Sequence, residues 1–211
     1  MKRILLAGVL CWVAILTHAA DAVKSAPDNK AEMMARGQQI AGAVCVACHG
    51  LDGMSAIAAN PNIAGMPEQY VAKQLELFKT GVRKNPVMQG MAANLSADDM
   101  KALGRYYFSQ KPKANAVARD AALGAKGQKL YRAGKPELNI PACAGCHGGA
   151  GAGIPASFPL LAGQWPEYTL EQLKQYATGA RKNTQMNAIA SRLRESDMLA
   201  AAEYIAGMRA K

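Results

Sequence analysis

Two copies of the pentapeptide Cys-x-x-Cys-His, one at Cys45, Cys48 and His49 and the other at Cys143, Cys146 and His147, hold every cysteine and histidine beyond the first twenty residues. That spacing suits one chemistry. Two thiols add across the vinyl groups of a haem, and the adjacent imidazole reaches iron from one side as an axial ligand. Zinc wants four nitrogen or sulfur ligands in a closed tetrahedron, and each cluster offers three. A thioredoxin-like pair needs a βαβ setting and a single copy, whereas the flanking sequence has no strand-like alternation. The motifs therefore predict two covalently attached c-type haems, held through Cys45, Cys48, Cys143 and Cys146 and ligated by His49 and His147.

The second axial ligand decides between electron transfer and catalysis. The only other histidine, His18, lies in the leader segment described below. Methionine is the ligand expected of an electron-transfer iron, raising its potential relative to bis-histidine ligation. The first half offers Met88 and Met91 in Val-Met-Gln-Gly-Met. Met88 has a methionine counterpart 98 residues on, Met186, whereas Met91 aligns with Ile189. Met88 and Met186 are the predicted iron ligands, with Met91 the competing candidate in the first half. Met100 and Met198 also match at 98, but each sits in a helical pattern beside leucine and reads as core.

These residues need elements to position them, and the chain builds the elements twice. Cys143 and Cys45, Pro159 and Pro61, Gly163 and Gly65, Tyr168 and Tyr70, and Arg181 and Arg83 all share the offset of 98. Upstream of the motifs Gly127-Gln128 matches Gly37-Gln38 at 90, so the second copy carries eight extra residues, the difference between 98 and 90, around Lys135 to Pro141. That segment reads as a loop. The copies divide near Lys111-Pro112-Lys113, before Asp120 opens a new helical pattern. Between Pro67 and Thr80, Val71, Leu75 and Phe78 recur at helical spacing, with Gly81 as the stop; Pro166 to Thr178 repeats the element with Leu173 and Tyr176 inward and Gly179 as the stop. Ser96 with Asp98 and Asp99 reads as an N-cap and acidic first turn; in the second copy Arg194 replaces Ser96, so Ser196 is the expected cap. The fold class is all-α, with two small helical domains over residues 23–112 and 113–211, each wrapped around one haem.

Composition agrees. Aromatic residues make up 6% of the 211-residue chain, little for a core of this size, and a haem supplies apolar bulk in each half. The formal charge of +10 favours partners with acidic docking surfaces and allows peripheral membrane association. No long Lys/Arg run or known nucleic-acid-binding motif is present, which argues against nucleic acid. Lys2-Arg3, the apolar run from Ile4 to Leu16 and Ala20-Asp21-Ala22 read as a signal peptide over residues 1–22, cleaved after Ala22 or at Ala20. Cleavage would remove Cys11 and His18. The run is shorter than the roughly 20 residues a spanning helix needs, and it directs the protein to the periplasm.

Taken with Gly50 and Asp52-Gly53, the Pro61 and Ala64-Gly65 segment, Tyr70, Gln74-Leu75, Gly81-x-Arg83, Met88-x-Gly-Met91 and Leu95-Ser96, and with their second-half repeats, the mature chain resembles the dihaem cytochrome c4 family, two class I cytochrome c domains in tandem. It departs in Met66, where the family often has Gln, and in the run Gly148 to Gly153. The resemblance implies that the carbonyls of Pro61 and Pro159 accept from Nδ1 of His49 and His147, and that helices cross at Gly37/Tyr106 and Gly127/Tyr204. Arg83 and Arg181 would face haem propionates, the other domain or solvent. The implied function is periplasmic electron transport in a respiratory chain, from a quinol-oxidising complex to a terminal oxidase, with no catalytic residues. The alternative is a cytochrome subunit of a periplasmic dehydrogenase. A dihaem peroxidase-type enzyme needs an iron whose sixth position opens, and the matched methionines argue against it.

Overall fold

The computed structural model describes residues 29–154, 156 and 158–210; the signal segment 1–22 lies outside the described residues. The first domain comprises α1 (Asn29–Ile40), a π turn (Ala41–Cys45), α2 (Val46–His49), α3 (Glu68–Lys79), α4 (Pro86–Ala92) and α5 (Ala97–Ser109). The second repeats the order as α6 (Ala121–Ala133), α7 (Ala144–His147), α8 (Pro166–Thr178), α9 (Thr184–Ala190) and α10 (Glu195–Gly207). Among the described residues β structure is limited to two isolated bridges, Lys135 with Ile140 and Ile154 with Phe158. No described helix is long and apolar enough to cross a membrane.

Side-chain caps fix where several helices begin. Ser96 Oγ accepts from Asp99 N at 3.0 Å while Asp99 Oδ2 accepts from Ser96 N at 3.0 Å, closing a capping box at α5. Asp120 accepts from Leu123 N at α6. At α10 the structure corrects the sequence reading: Arg194 occupies the N-cap position, and Ser196 lies inside the first turn. The reason is that Asp197, the counterpart of Asp99, still accepts from the backbone N–H of Arg194 at 3.3 Å, which holds the ancestral register without a capping hydroxyl.

In each domain the first and last helices cross where a glycine removes the side chain. A Cβ at Gly37 would fall on the Ala102 carbonyl and within 2.7 Å of Tyr106 Cβ, and one at Gly127 would fall on the Ala200 carbonyl and within 2.7 Å of Tyr204 Cβ. Against these crossings α3 buries Val71, Leu75 and Phe78, whereas α8 leaves Leu173 and Tyr176 half-buried and buries Thr169 instead. The inserted segment of the second domain is a tight hairpin: Lys135 and Ile140 exchange both backbone bonds, Pro136–Leu138 forms a 3-10 turn, and Asn139 takes the left-handed φ of 53°. Ile140 is buried with Leu130 and Ala201.

The crossings generate a paired expectation. Gly37→Ala should destabilise the first domain by roughly 1–3 kcal/mol, the usual cost of overpacking a close contact. Gly124→Ala, on α6 with nothing within 4 Å of its would-be Cβ, should stabilise by about 0.5–1 kcal/mol through helix propensity. Thermal unfolding of the holoprotein reads both.

Candidate haem sites

The first motif ends a continuous helical run, with Cys45 closing the π turn and Val46–His49 forming α2, whereas the second is the isolated turn α7 with Cys143 at its N-cap; both end in glycine. Gly50 and Gly148 take φ of 71° and 80°, turning the chain away immediately after the histidine. His49 and His147 are each only 7% exposed. His49 Nδ1 donates to the Pro61 carbonyl at 2.9 Å, and His147 Nδ1 to the Pro159 carbonyl at 3.1 Å. A carbonyl only accepts, so the proton sits on Nδ1 and Nε2 keeps its lone pair for a metal. Burial holds both imidazoles below their ordinary value, against the opposing pull of the proline carbonyls. The proline loops are set identically: Ile63 N donates to Gly53 O, and Leu161 N to Gly151 O, both at 2.8 Å.

The methionines stand on short capped helices. Asn85 Oδ1 accepts from Met88 N and Asn183 Oδ1 from Met186 N, both at 2.9 Å, so the same side-chain cap fixes the start of α4 and of α9. Sequence reading missed these caps, although an asparagine three residues ahead of each methionine signals them. Met88 is half-buried and packs on the core cluster that also receives Cys45 and Ile63, whereas Met91 is 46% exposed. Met100 and Met198 are buried in α5 and α10 as packing residues. Burial raises the thiols of Cys45 and Cys143, the latter to about 11.

The donor set fits a covalently bound haem: two thiols and an imidazole with a free Nε2 on one turn, and a thioether on a separate capped helix. In the first domain the buried Tyr107 hydroxyl faces the Cys45 thiol, and in the second the buried Thr169 Oγ1 has no partner among the described residues, which suits a bound group carrying its own acceptors.

The two arginines left open by the sequence face the other domain. Arg83 donates from Nη1 to Gln74 Oε1 (2.7 Å) and from Nη2 to Tyr168 Oη (2.9 Å) and Gln172 Oε1 (2.7 Å). Arg181 mirrors it, from Nη1 to Gln172 Oε1 (2.8 Å) and from Nη2 to Tyr70 Oη (2.9 Å) and Gln74 Oε1 (2.9 Å). Each glutamine oxygen thus accepts from both arginines. The guanidiniums also stack, Arg83 at 4.4 Å from the Phe78 ring centroid and Arg181 at 4.6 Å from that of Tyr176. Burial pushes the Tyr70 phenol up, but the two guanidiniums outweigh it and hold it below its ordinary value. Burial pushes Tyr176 up to about 12.

A second, unsymmetrical set of bonds clamps the proline loops. Asn62, next to Pro61, donates from its backbone N to Gln164 Oε1 and accepts from Gln164 Nε2 at its carbonyl, both at 2.9 Å. Leu160, next to Pro159, is buried in the core cluster of the first domain. Trp165 Nε1 and linker residue Asn115 Nδ2 both donate to Ser55 O.

The Cytochrome c family model matches residues 34–107 and 124–209, so each half is a cytochrome c domain. The chain is 37% identical over 214 residues to a thiosulfate dehydrogenase electron acceptor of Thiomonas intermedia, covering 98% of this chain and 91% of that protein. It is 41% identical over 180 residues to cytochrome c4 of Azotobacter vinelandii, covering 79% of this chain and 85% of the relative. The crystal structure of reduced recombinant cytochrome c4 from Pseudomonas stutzeri superposes with a TM-score of 0.79 at 38% identity, over 83% of this chain and 98% of that one. The chain belongs to the dihaem cytochrome c4 family. It carries two covalently bound haem c groups, one in each domain, and is an electron-transfer cytochrome.

The interface yields a test. Arg83→Met should destabilise the holoprotein by about 2–4 kcal/mol, since a hydrogen bond to a charged group contributes ~1.5–3 kcal/mol and its buried partners are left unsatisfied. Arg83→Lys should recover less than half of that loss, because one ammonium cannot reproduce the planar fork that reaches Gln74, Tyr168 and Gln172. Urea unfolding monitored at each haem measures both.

Proposed function

We propose that this chain is a periplasmic carrier whose two irons are each ligated by histidine and methionine, with residues 1–22 removed on export and the domains spanning 23–112 and 113–211. Cys45 and Cys48 hold one haem and Cys143 and Cys146 the other. His49 and Met88 are the axial ligands of the first iron, and His147 and Met186 those of the second. The bound haems supply one-electron exchange between ferrous and ferric iron. The protein's own residues orient and tune: the proline carbonyls fix each imidazole, and the thioether of a capped methionine would be the second ligand held for the iron, which would favour its ferrous state.

The observation that carries this reading is the repetition of one arrangement at a constant offset, a buried imidazole tethered to a proline carbonyl and a methionine three residues after an asparagine cap. A closed sixth position in both halves suits a carrier and not a peroxidase. The electron source is a quinol-oxidising complex and the acceptor a terminal oxidase. A second reading makes a periplasmic dehydrogenase the donor; it draws support from the relative named as a thiosulfate dehydrogenase electron acceptor, which aligns over 98% of this chain.

The far-red methionine-to-ferric-iron charge-transfer band of the oxidised holoprotein should have the intensity of two haems. It should fall by half in Met88→Ala and by half in Met186→Ala, while Met91→Ala leaves it unchanged. A band worth one haem or none in the unmodified protein would favour an open iron and an enzyme.

A further inference from the structure

The duplication supplies an internal control for every surface. Ile40, Met91, Leu95 and Asp99 of the first domain correspond to Leu130, Ile189, Leu193 and Asp197 of the second. In the second domain the inserted hairpin covers that patch. Ile140 is 2% exposed against Leu130, with Leu138, Ile189 and Leu193 packed around the same cluster. The hairpin is pinned by Lys135 Nζ on Asp197 Oδ1 at 2.5 Å and by Arg192 Nη1 donating to Asn139 O at 2.9 Å.

The first domain lacks the insertion, and there the same place is a groove of about 360 Å³ whose floor, Ile40 and Leu95, is already buried in the domain core and whose rim carries the apolar Val44 and Met91 beside the uncharged Gln39 and Asn94. Val44 is 39% and Met91 46% exposed. The charged residues at its edge, Arg36 and Asp99, neutralise each other at 2.8 Å. The groove lies between Val44, which precedes Cys45 in the chain, and Met91, one turn beyond Met88 on α4. An occupant would therefore sit beside the first haem site.

The second domain presents a different character at matching positions. Lys129, Arg132 and Arg192 stand where the first domain has Gln39, Gly42 and Asn94. An acidic surface finds its attraction there and little at the open groove. What the groove fits is what its duplicate already holds, a short turn carrying branched aliphatic side chains. A second copy of this chain is a poor source of that turn, because its own Ile140 is buried at home.

We propose that the open groove of the first domain is the docking site for a redox partner that inserts an aliphatic turn where the second domain has its own hairpin, making an apolar and charge-neutral contact beside the first haem. The inference rests on the electron-carrier reading. A cyclised peptide of residues 134–141 serves as the probe, titrated into the ferrous, diamagnetic holoprotein and followed by 15N NMR. Saturable shifts are expected at the amides of Ile40, Val44 and Met91, insensitive to salt. The peptide's affinity should fall about tenfold in Met91→Asn and in Val44→Asn, in proportion to the apolar surface lost, and the shifts should vanish for a peptide carrying Ile140→Asn. Absent shifts, shifts undiminished with the Ile140→Asn peptide, or a concentration-dependent dimer that protects the same amides would each overturn the proposal. The far-red band of the same preparation, recorded after oxidation to the ferric state, reports on the carrier reading separately, so an intact band without shifts counts against the groove alone.

Discussion

The orientation of two imidazoles is the constraint on which the rest of this structure depends. A histidine free to rotate presents either nitrogen to a metal at a range of angles, whereas His49 and His147 are buried and held at Nδ1 by the carbonyls of Pro61 and Pro159. Each carbonyl is aimed by its loop, and each loop is clamped by the opposite domain through the residue that follows the proline. Asn62 is held by the amide of Gln164, and Leu160 is sunk in the first domain's core. The ligand geometry of one half thus depends on contact with the other.

That dependence explains why the domain interface is polar yet rigid. Arg83 and Arg181 are buried, and among the described residues neither has a carboxylate within ion-pair distance. Their charge is spread over two glutamine oxygens, two phenols and two aromatic faces, related by the duplication. A planar guanidinium satisfies several fixed acceptors at once, so the network specifies one relative placement of the domains and penalises slippage. This part of the repeat is symmetrical whereas the outer faces differ, one filled by a hairpin and one left open.

Much of the fold was legible because the duplication doubles every signal. The motif spacing, the constant offset, the amphipathic pattern of α3 and the Ser96 cap all correspond to observed elements. The family comparison bears out the tandem all-α architecture and the two covalent haems. What stayed hidden depends on three-dimensional proximity. Arg83 is a lone charge in sequence, and only its approach to Tyr168 and Gln172 of α8 across the interface reveals its partners. Gln164 looks like an ordinary polar residue until it meets Asn62. Ser196 was the natural cap by residue type, yet the backbone followed Asp197 instead. The extra residues around Lys135 read as a loop, and their packing role appears only when Ile140 is seen against Leu130.

The central claim is that each half closes its iron with one particular methionine, Met88 in the first and Met186 in the second. Methyl-13C methionine labelling of the ferrous holoprotein tests it most directly, because only a thioether bound over the haem ring has its methyl resonance driven far upfield by the ring current. Two such resonances, assigned to Met88 and Met186, are the predicted result. A single upfield resonance, none, or one arising from Met91 would contradict the account.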